Sequence, residues 1–216
     1  MERLLERHRG TVVAATGFTI VVLFLAGVLG LATVDEGKAA IRTGPSTAVL
    51  EDTTPVQPPQ DLAPVISPAP AGFDRIDPDG TVTKEQLAQG RGNAEGALTL
   101  FEQLGLENGF VRTWQRTGGD DLLALRVYQF GRASGATRYV QLGVDARSND
   151  KAKRFDVPGV PDAVGIDTGV AQDGHHLAFV FAPKGRLVTV IAASLRDPPD
   201  LATVVALARS QQALLP

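Results

Sequence analysis

From Thr11 to Val34 the chain runs TVVAATGFTIVVLFLAGVLGLATV, 24 residues without a charged side chain. At about 1.5 Å per residue, a helix of that length crosses a bilayer core of roughly 30 Å. A helix inside a water-soluble domain keeps a polar stripe, whereas this run offers only threonines and glycines, which membrane helices tolerate. The sequence therefore predicts a transmembrane helix over residues 11–34, preceded by a short tail, residues 1–10. Arg3, Arg7 and Arg9 stand before it, Lys38 and Arg42 after it. Three cations against two favour a cytoplasmic N-terminus by the positive-inside rule and place the rest of the chain outside the plasma membrane. A cleaved signal peptide has a shorter apolar centre, ~7–15 residues, followed by a small-x-small cleavage site. Leu31-Ala32-Thr33 lacks the first small residue, and Lys38-Ala39-Ala40 lies beyond a charged stretch, so an uncleaved anchor is expected.

Residues 35–70 carry Pro45, Pro55, Pro58, Pro59, Pro64, Pro68 and Pro70, half of the 14 prolines, and no aromatic residue. Such a segment cannot bury a core and favours extended conformations, with a reach of at most on the order of 100 Å. It reads as a linker that holds the following domain clear of the bilayer.

Residues 71–216 contain the only tryptophan and both tyrosines, and this is where a core can form. Thr83 and Gln86 have capping-box spacing before a short helix. A second helix is expected from Asn93 to Leu104, ended by Gly105. Phe110 to Arg116 and Leu122 to Phe130 flank Thr117-Gly118-Gly119-Asp120 as a β-hairpin, with Leu123, Leu125 and Val127 marking its core face. Ser134 offers the cap of a helix bearing Ala136, Tyr139, Val140 and Val144. Leu177 to Phe181 and Leu187 to Ala193 form a second hairpin, and Asp197-Pro198 opens a last helix with Leu201, Val204, Val205 and Ala208. Strand, strand, helix thus occurs twice, about 65 residues apart, which suggests a duplicated ββα unit. The expected fold is α+β, an antiparallel sheet covered by helices on one face. Val157-Pro158-Gly159-Val160-Pro161 reads as a rigid surface connection or a short edge strand.

The order of anchor, proline-rich spacer, TVTKEQLA, GFVRTWQR, LRVYQFGRASGATRYV, VPGVPDA and a terminal LARSQQALLP resembles membrane-anchored cell-envelope proteins of high-GC actinobacteria, an uncharacterised group. The resemblance spans most of Phe73 to Pro216 and implies a location. It supplies no catalytic residues.

The absence of cysteine removes disulfides, thiolate metal sites and a cysteine nucleophile. A net charge of −3 argues against nucleic-acid binding. Asp77-Pro78-Asp79-Gly80-Thr81-Val82 matches the middle of an EF-hand loop, but Arg75 and Gln86 stand where anionic ligands are needed, so an Asx turn leading into a helix is the better reading. Asp173, His175 and His176 could begin a zinc site, yet adjacent histidines on a strand point to opposite faces. Asp120 and Asp121 lie in a turn, where carboxylates are ordinarily solvated. No G-x-S-x-G, Walker loop or dinucleotide fingerprint is present. No enzyme, cofactor or metal is expected.

Lys151, Lys153 and Arg154 form a basic run that could meet anionic wall polymer or lipid headgroups, or simply be a solvated strand edge. Arg112, Trp114 and Arg116 alternate along a strand and share a face, where arginine can stack on indole or grip an acidic partner. They are the candidate partner-binding residues; the competing reading packs the tryptophan under a helix with the arginines at its rim. On the surface reading, Trp114→Ala removes partner binding and leaves the domain folded. The function expected is that of a single-pass, membrane-anchored extracytoplasmic binding or accessory domain with an envelope protein as partner. The alternatives are an envelope carrier of a lipid or small apolar ligand and, behind it, an envelope hydrolase.

Overall fold

The computed structural model describes residues 60–148, 150–170 and 174–216. The expected membrane span and most of the linker lie outside the described residues, among which no helix is long and apolar enough to cross a membrane.

The core strands carry apolar side chains on both faces, and this fixes the architecture. β1 (Phe73–Val82), β2 (Leu106–Arg116), β3 (Leu122–Phe130), β4 (Lys153–Phe155), β5 (Val164–Val170), β6 (His175–Lys184) and β7 (Leu187–Arg196) form one antiparallel sheet in the order β1-β2-β3-β7-β6-β5-β4. β3, LLALRVYQF, is buried at every position, as is all of β7 except Arg196. A strand with two buried faces needs cover on both sides.

The helices supply it. α1 (Lys84–Gln89), α2 (Ala94–Leu104) and α3 (Ala133–Asp145) cover one face, where Leu87, Phe101, Ala136, Val140 and Val144 pack on Ala124, Tyr128, Phe181 and Val190. α4 (Leu201–Leu214) covers the other, with Val204, Leu207 and Ala208 against Leu125, Ile191 and Ala193. The expectation of helices on one face is corrected accordingly. The recurrence of strand, strand, helix holds along the chain, but β3 and β7 are antiparallel neighbours. A two-fold axis exchanging them must stand perpendicular to the sheet and would keep both helices on one face. α3 and α4 lie on opposite faces, so the two units are not related by that symmetry.

Local chemistry sets the ends of the elements. Thr83 and Gln86 form the expected reciprocal capping box, and Asn93 caps α2 while Gly105, at φ 71°, ends it. The last helix is capped by Asp200, which accepts from Thr203 N–H, rather than started at Asp197. Arg132, without a side-chain cap bond, precedes α3, so Ser134 lies within its first turn. Gly185, at φ 56°, occupies the first position of the two-residue β6–β7 loop, as a II′ hairpin requires.

Three further expectations change. Asp77 to Val82 belongs to β1, an edge strand with a register shift between Ile76 and Asp79, and not to an Asx turn. An edge strand tolerates Pro78 because a bulge releases the backbone bond that proline cannot make. Val157 and Val160 are buried in the α4-side core while Pro158, Gly159 and Pro161 stay exposed, so that surface connection is also anchored in the core. Residues 60–70, expected as the end of the linker, pack on the domain: Leu62 and Ile66 are buried in the α4-side core.

Candidate functional site

β2 places Arg112, Trp114 and Arg116 on one face as the alternation requires, and that face is the one α4 covers. Trp114 is 0% exposed and packs in the core with Phe73, Leu123 and Leu195. The arginines are engaged within the chain. Arg112 bonds Asp79 at 2.8 Å and lies 5.3 Å from the Phe110 ring centroid. Arg116 bonds Asp121 at 2.7 Å and Asp200 at 3.3 Å, with Phe73 beneath it at 4.8 Å. The indole presents nothing to a partner in this conformation, and the arrangement is the competing one, a tryptophan in the core with arginines at its rim.

At the same end of the sheet, Asp120, Asp121 and His175 bring ligand atoms within 4.8 Å of one another. Both carboxylates are already taken by cations. Asp121 accepts from Arg116 and from the Arg196 backbone N–H at 2.8 Å, and Arg196 donates twice to Asp120. A metal would have to displace two guanidiniums, so the cluster works as a latch between the β2–β3 turn and the end of β7. His176 turns away from His175, to Asp167 and Asp197 at 3.1 Å each. The two histidines thus meet different carboxylates, as their adjacency on a strand predicts; Asp173 lies outside the described residues.

The hydrogen bonds from Arg196 hold the Asp120 carboxyl down at about 2. A depressed carboxylate stabilises the fold above its unfolded pKa of ~3.9 and loses that contribution as pH falls towards 2. Asp120 is 39% exposed, and solvent screening keeps the effect modest. Urea titrations at pH 5 and pH 2.5 are expected to show a smaller loss of stability in Asp120→Asn than in the parent; an equal loss refutes this assignment.

The other face holds a different chemistry. Between α2 and α3 lies a cavity of about 40 Å³ lined by Arg91, Phe101, Tyr139, Gly143 and Arg147, among others. Arg126, at the centre of β3, is 2% exposed on the same face, beside Tyr128. Tyr128 has room because Gly109 stands opposite it; a Cβ there would come within 2.8 Å of the ring. Gly143 likewise lets α3 approach Phe181, since a Cβ would meet that ring at 2.5 Å. The guanidinium of Arg147 lies 4.3 Å from the Phe179 centroid and 5.2 Å from that of Phe181, and its Nη1 donates to the Gly143 carbonyl at 3.0 Å. Arg91 lies 5.7 Å over Phe101. The Tyr128 and Tyr139 rings meet edge to face at 5.3 Å.

The electrostatics are one-sided. Burial first, then the neighbouring guanidiniums of Arg91 and Arg126, pull Arg147 down to about 10, with Tyr139 opposing. Burial and Tyr139 push the Tyr128 phenol up, so it keeps its proton. Nε of Arg91, Nε and Nη2 of Arg126, and Nε of Arg147 are buried without a hydrogen-bond partner. Sequence reasoning missed this group because it placed only one face of β3 against a core.

No family model matches the chain. No curated protein matches it either. Among solved structures, the chain is similar to the extracellular domain of PknH from Mycobacterium tuberculosis, with a TM-score of 0.50 at 13% identity, over 74% of this chain and 98% of that one. The likeness is one of fold.

Proposed function

We propose that the chain is a single-pass, membrane-tethered binding domain that works outside the cytoplasmic membrane without catalysing a reaction. The observation that carries this reading is the fold, which is similar over 74% of this chain and 98% of the other to a domain described as extracellular. The uncharged run Thr11–Val34 supplies the anchor and residues 35–59 the spacer. Tethering confines the domain near the membrane and raises its effective concentration towards an envelope component, so that modest contacts suffice.

The topology is tested by exposing intact cells to a protease that cannot cross the membrane. Cleavage of residues 60–216 in intact cells, with the first ten residues protected until lysis, is the expected pattern; a protected domain refutes the reading.

A second reading, a carrier of a small ligand, is favoured by the cavity between α2 and α3. Its lining combines the apolar groups of Ala97, Leu100, Phe101 and Leu142 with the side chains of Arg91 and Arg147, which suits a small apolar passenger, with or without an acidic group.

A further inference from the structure

His176, near the start of β6, has a carboxylate at each ring nitrogen. Nδ1 lies 3.1 and 3.2 Å from the two oxygens of Asp167 on β5, and Nε2 lies 3.1 Å from Oδ1 of Asp197, just past the end of β7. An ionised carboxylate only accepts hydrogen bonds, and a neutral imidazole has a single N–H to give. Both contacts are therefore hydrogen bonds only when the ring is an imidazolium. A neutral ring must present a lone pair to one of the two carboxylates, and that contact is repulsive.

The other charges around the ring leave this requirement in place. On the β5 side, Lys153 of β4 stands opposite Asp167 and is exposed. On the β7 side, Arg196 is committed to Asp120. At the start of α4, Asp200 is committed to Arg116 and to the first turn of its own helix. Within α4 the only charged residue is Arg209, which donates to the Pro158 carbonyl. His175 points to the opposite side of the strand, 3.6 Å from Asp120.

The two carboxylates are held unequally. Asp167 is 14% exposed, and its Oδ1 also accepts the Gly169 N–H at 2.8 Å. Asp197 is 63% exposed and can turn to water. When the ring loses one proton, the remaining N–H stays with Asp167, and the bond to Asp197 is the one released. Asp197 belongs to the connection between β7 and α4, Asp197-Pro198-Pro199-Asp200, whose first backbone N–H reaches the Gly174 carbonyl at 3.3 Å. A clip that joins Asp167 to Asp197 thus fastens this connection to β5 across the end of β6.

We propose that His176 is a pH-operated clip: charged, it ties the β7–α4 connection to β5, and neutral, it lets Asp197 go. The bond is present where the ring carries both protons and is lost as pH rises through the histidine range, about 6–7. The clip follows from the donors of the ring and stands independently of the membrane topology. A domain outside the cytoplasmic membrane meets the surrounding pH directly, so the reading under Proposed function gives the clip a signal to follow.

The test uses full-length protein in detergent micelles, with histidine labelled with nitrogen-15 and amide exchange read at about pH 5.5 and about pH 8, on either side of the histidine range. At the lower pH both ring nitrogens of His176 are expected to carry protons, and at the higher pH only Nδ1. With the intrinsic exchange rate divided out, the Asp197 amide is expected to exchange about three- to fivefold faster at the higher pH, the scale of one partly exposed ion pair. Amides of Val180 and Ile191, within the β6–β7 ladder, are expected to stay unchanged. His176→Gln has one donor group for two carboxylates and no charge, so Asp197 is expected to exchange at the faster rate at both pH values. Asp197→Asn is expected to abolish the difference as well, because its amide can accept from the charged ring and donate to the neutral one. His175→Gln is expected to keep it. The ring and amide readings on the parent protein need no variant to decide the matter. The proposal is overturned by a singly protonated His176 ring at the lower pH, by an Asp197 amide indifferent to pH in the parent, or by a pH difference that survives in His176→Gln.

Discussion

Trp114→Ala is expected to cost about 3–5 kcal/mol of folding free energy, the range for truncating a fully buried large aromatic side chain. The indole is 0% exposed. Its strand neighbours are Arg75 on β1 and Leu123 on β3, and Phe73, Leu62 and Leu195 share its core. β2 is hydrogen-bonded on both sides, so its backbone cannot collapse into the space that truncation leaves. A domain with about 5–15 kcal/mol of stability would lose a large share of it. The check is urea unfolding followed by circular dichroism, since the variant has no tryptophan left to fluoresce. A change below about 1 kcal/mol would show that the indole is not part of the core. Loss of partner capture in this variant would therefore report unfolding. For the same reason Trp114 is a poor probe of a contact surface, although its alternation with two arginines suggests one.

The hairpins, α2, α3 and α4 were legible because their signals are local: alternating apolar residues around glycine turns, and apolar spacing at i, i+3 and i+4 behind a cap. β1 was not, because Asp77-Pro78-Asp79-Gly80 concentrates turn-forming residues, and only pairing with β2 makes the bulge worthwhile. The candidate site was hidden by a single assumption. With Leu123, Leu125 and Val127 taken as the better core face of the hairpin and helices expected on one side of the sheet, Arg126 and Tyr128 fall on the solvent side. The contrary signal was present in the strand itself: Leu122 and Ala124 are apolar at positions that a one-sided strand gives to polar residues. A continuous apolar run around one arginine means two covered faces, and hence a buried charge that needs an explanation. Which helix covers which face, and that Arg91 and Arg147 meet at one cavity between α2 and α3, depends on long-range packing and has no local signature.

The α4 face also holds the segment that leads into the domain, and Gln211 is the residue that secures it. It is wholly buried on α4. Its Oε1 accepts the Ser67 backbone N–H at 2.8 Å, and its Nε2 donates to the Val65 carbonyl at 2.8 Å. The side-chain amide thus completes the hydrogen bonding of a segment with no strand to pair with, while Leu62 and Ile66 seal it into the core. Ser67 and Ser210 add a hydroxyl contact at 2.9 Å. Residues 62–67 therefore lie along the α4 face, opposite the face that carries Arg126. Gln211→Ala would leave a buried backbone donor and acceptor without partners and is expected to cost about 2–4 kcal/mol, most of it from desolvated groups that can no longer bond. Hydrogen exchange separates local from global loss. The amides of residues 62–67 should lose protection well before those of β3 and β7, because the sheet keeps its own ladder when this segment detaches. Equal loss across both would show that the segment is an integral part of the cooperative core. Unchanged protection at Ser67 would show that Gln211 does not hold it.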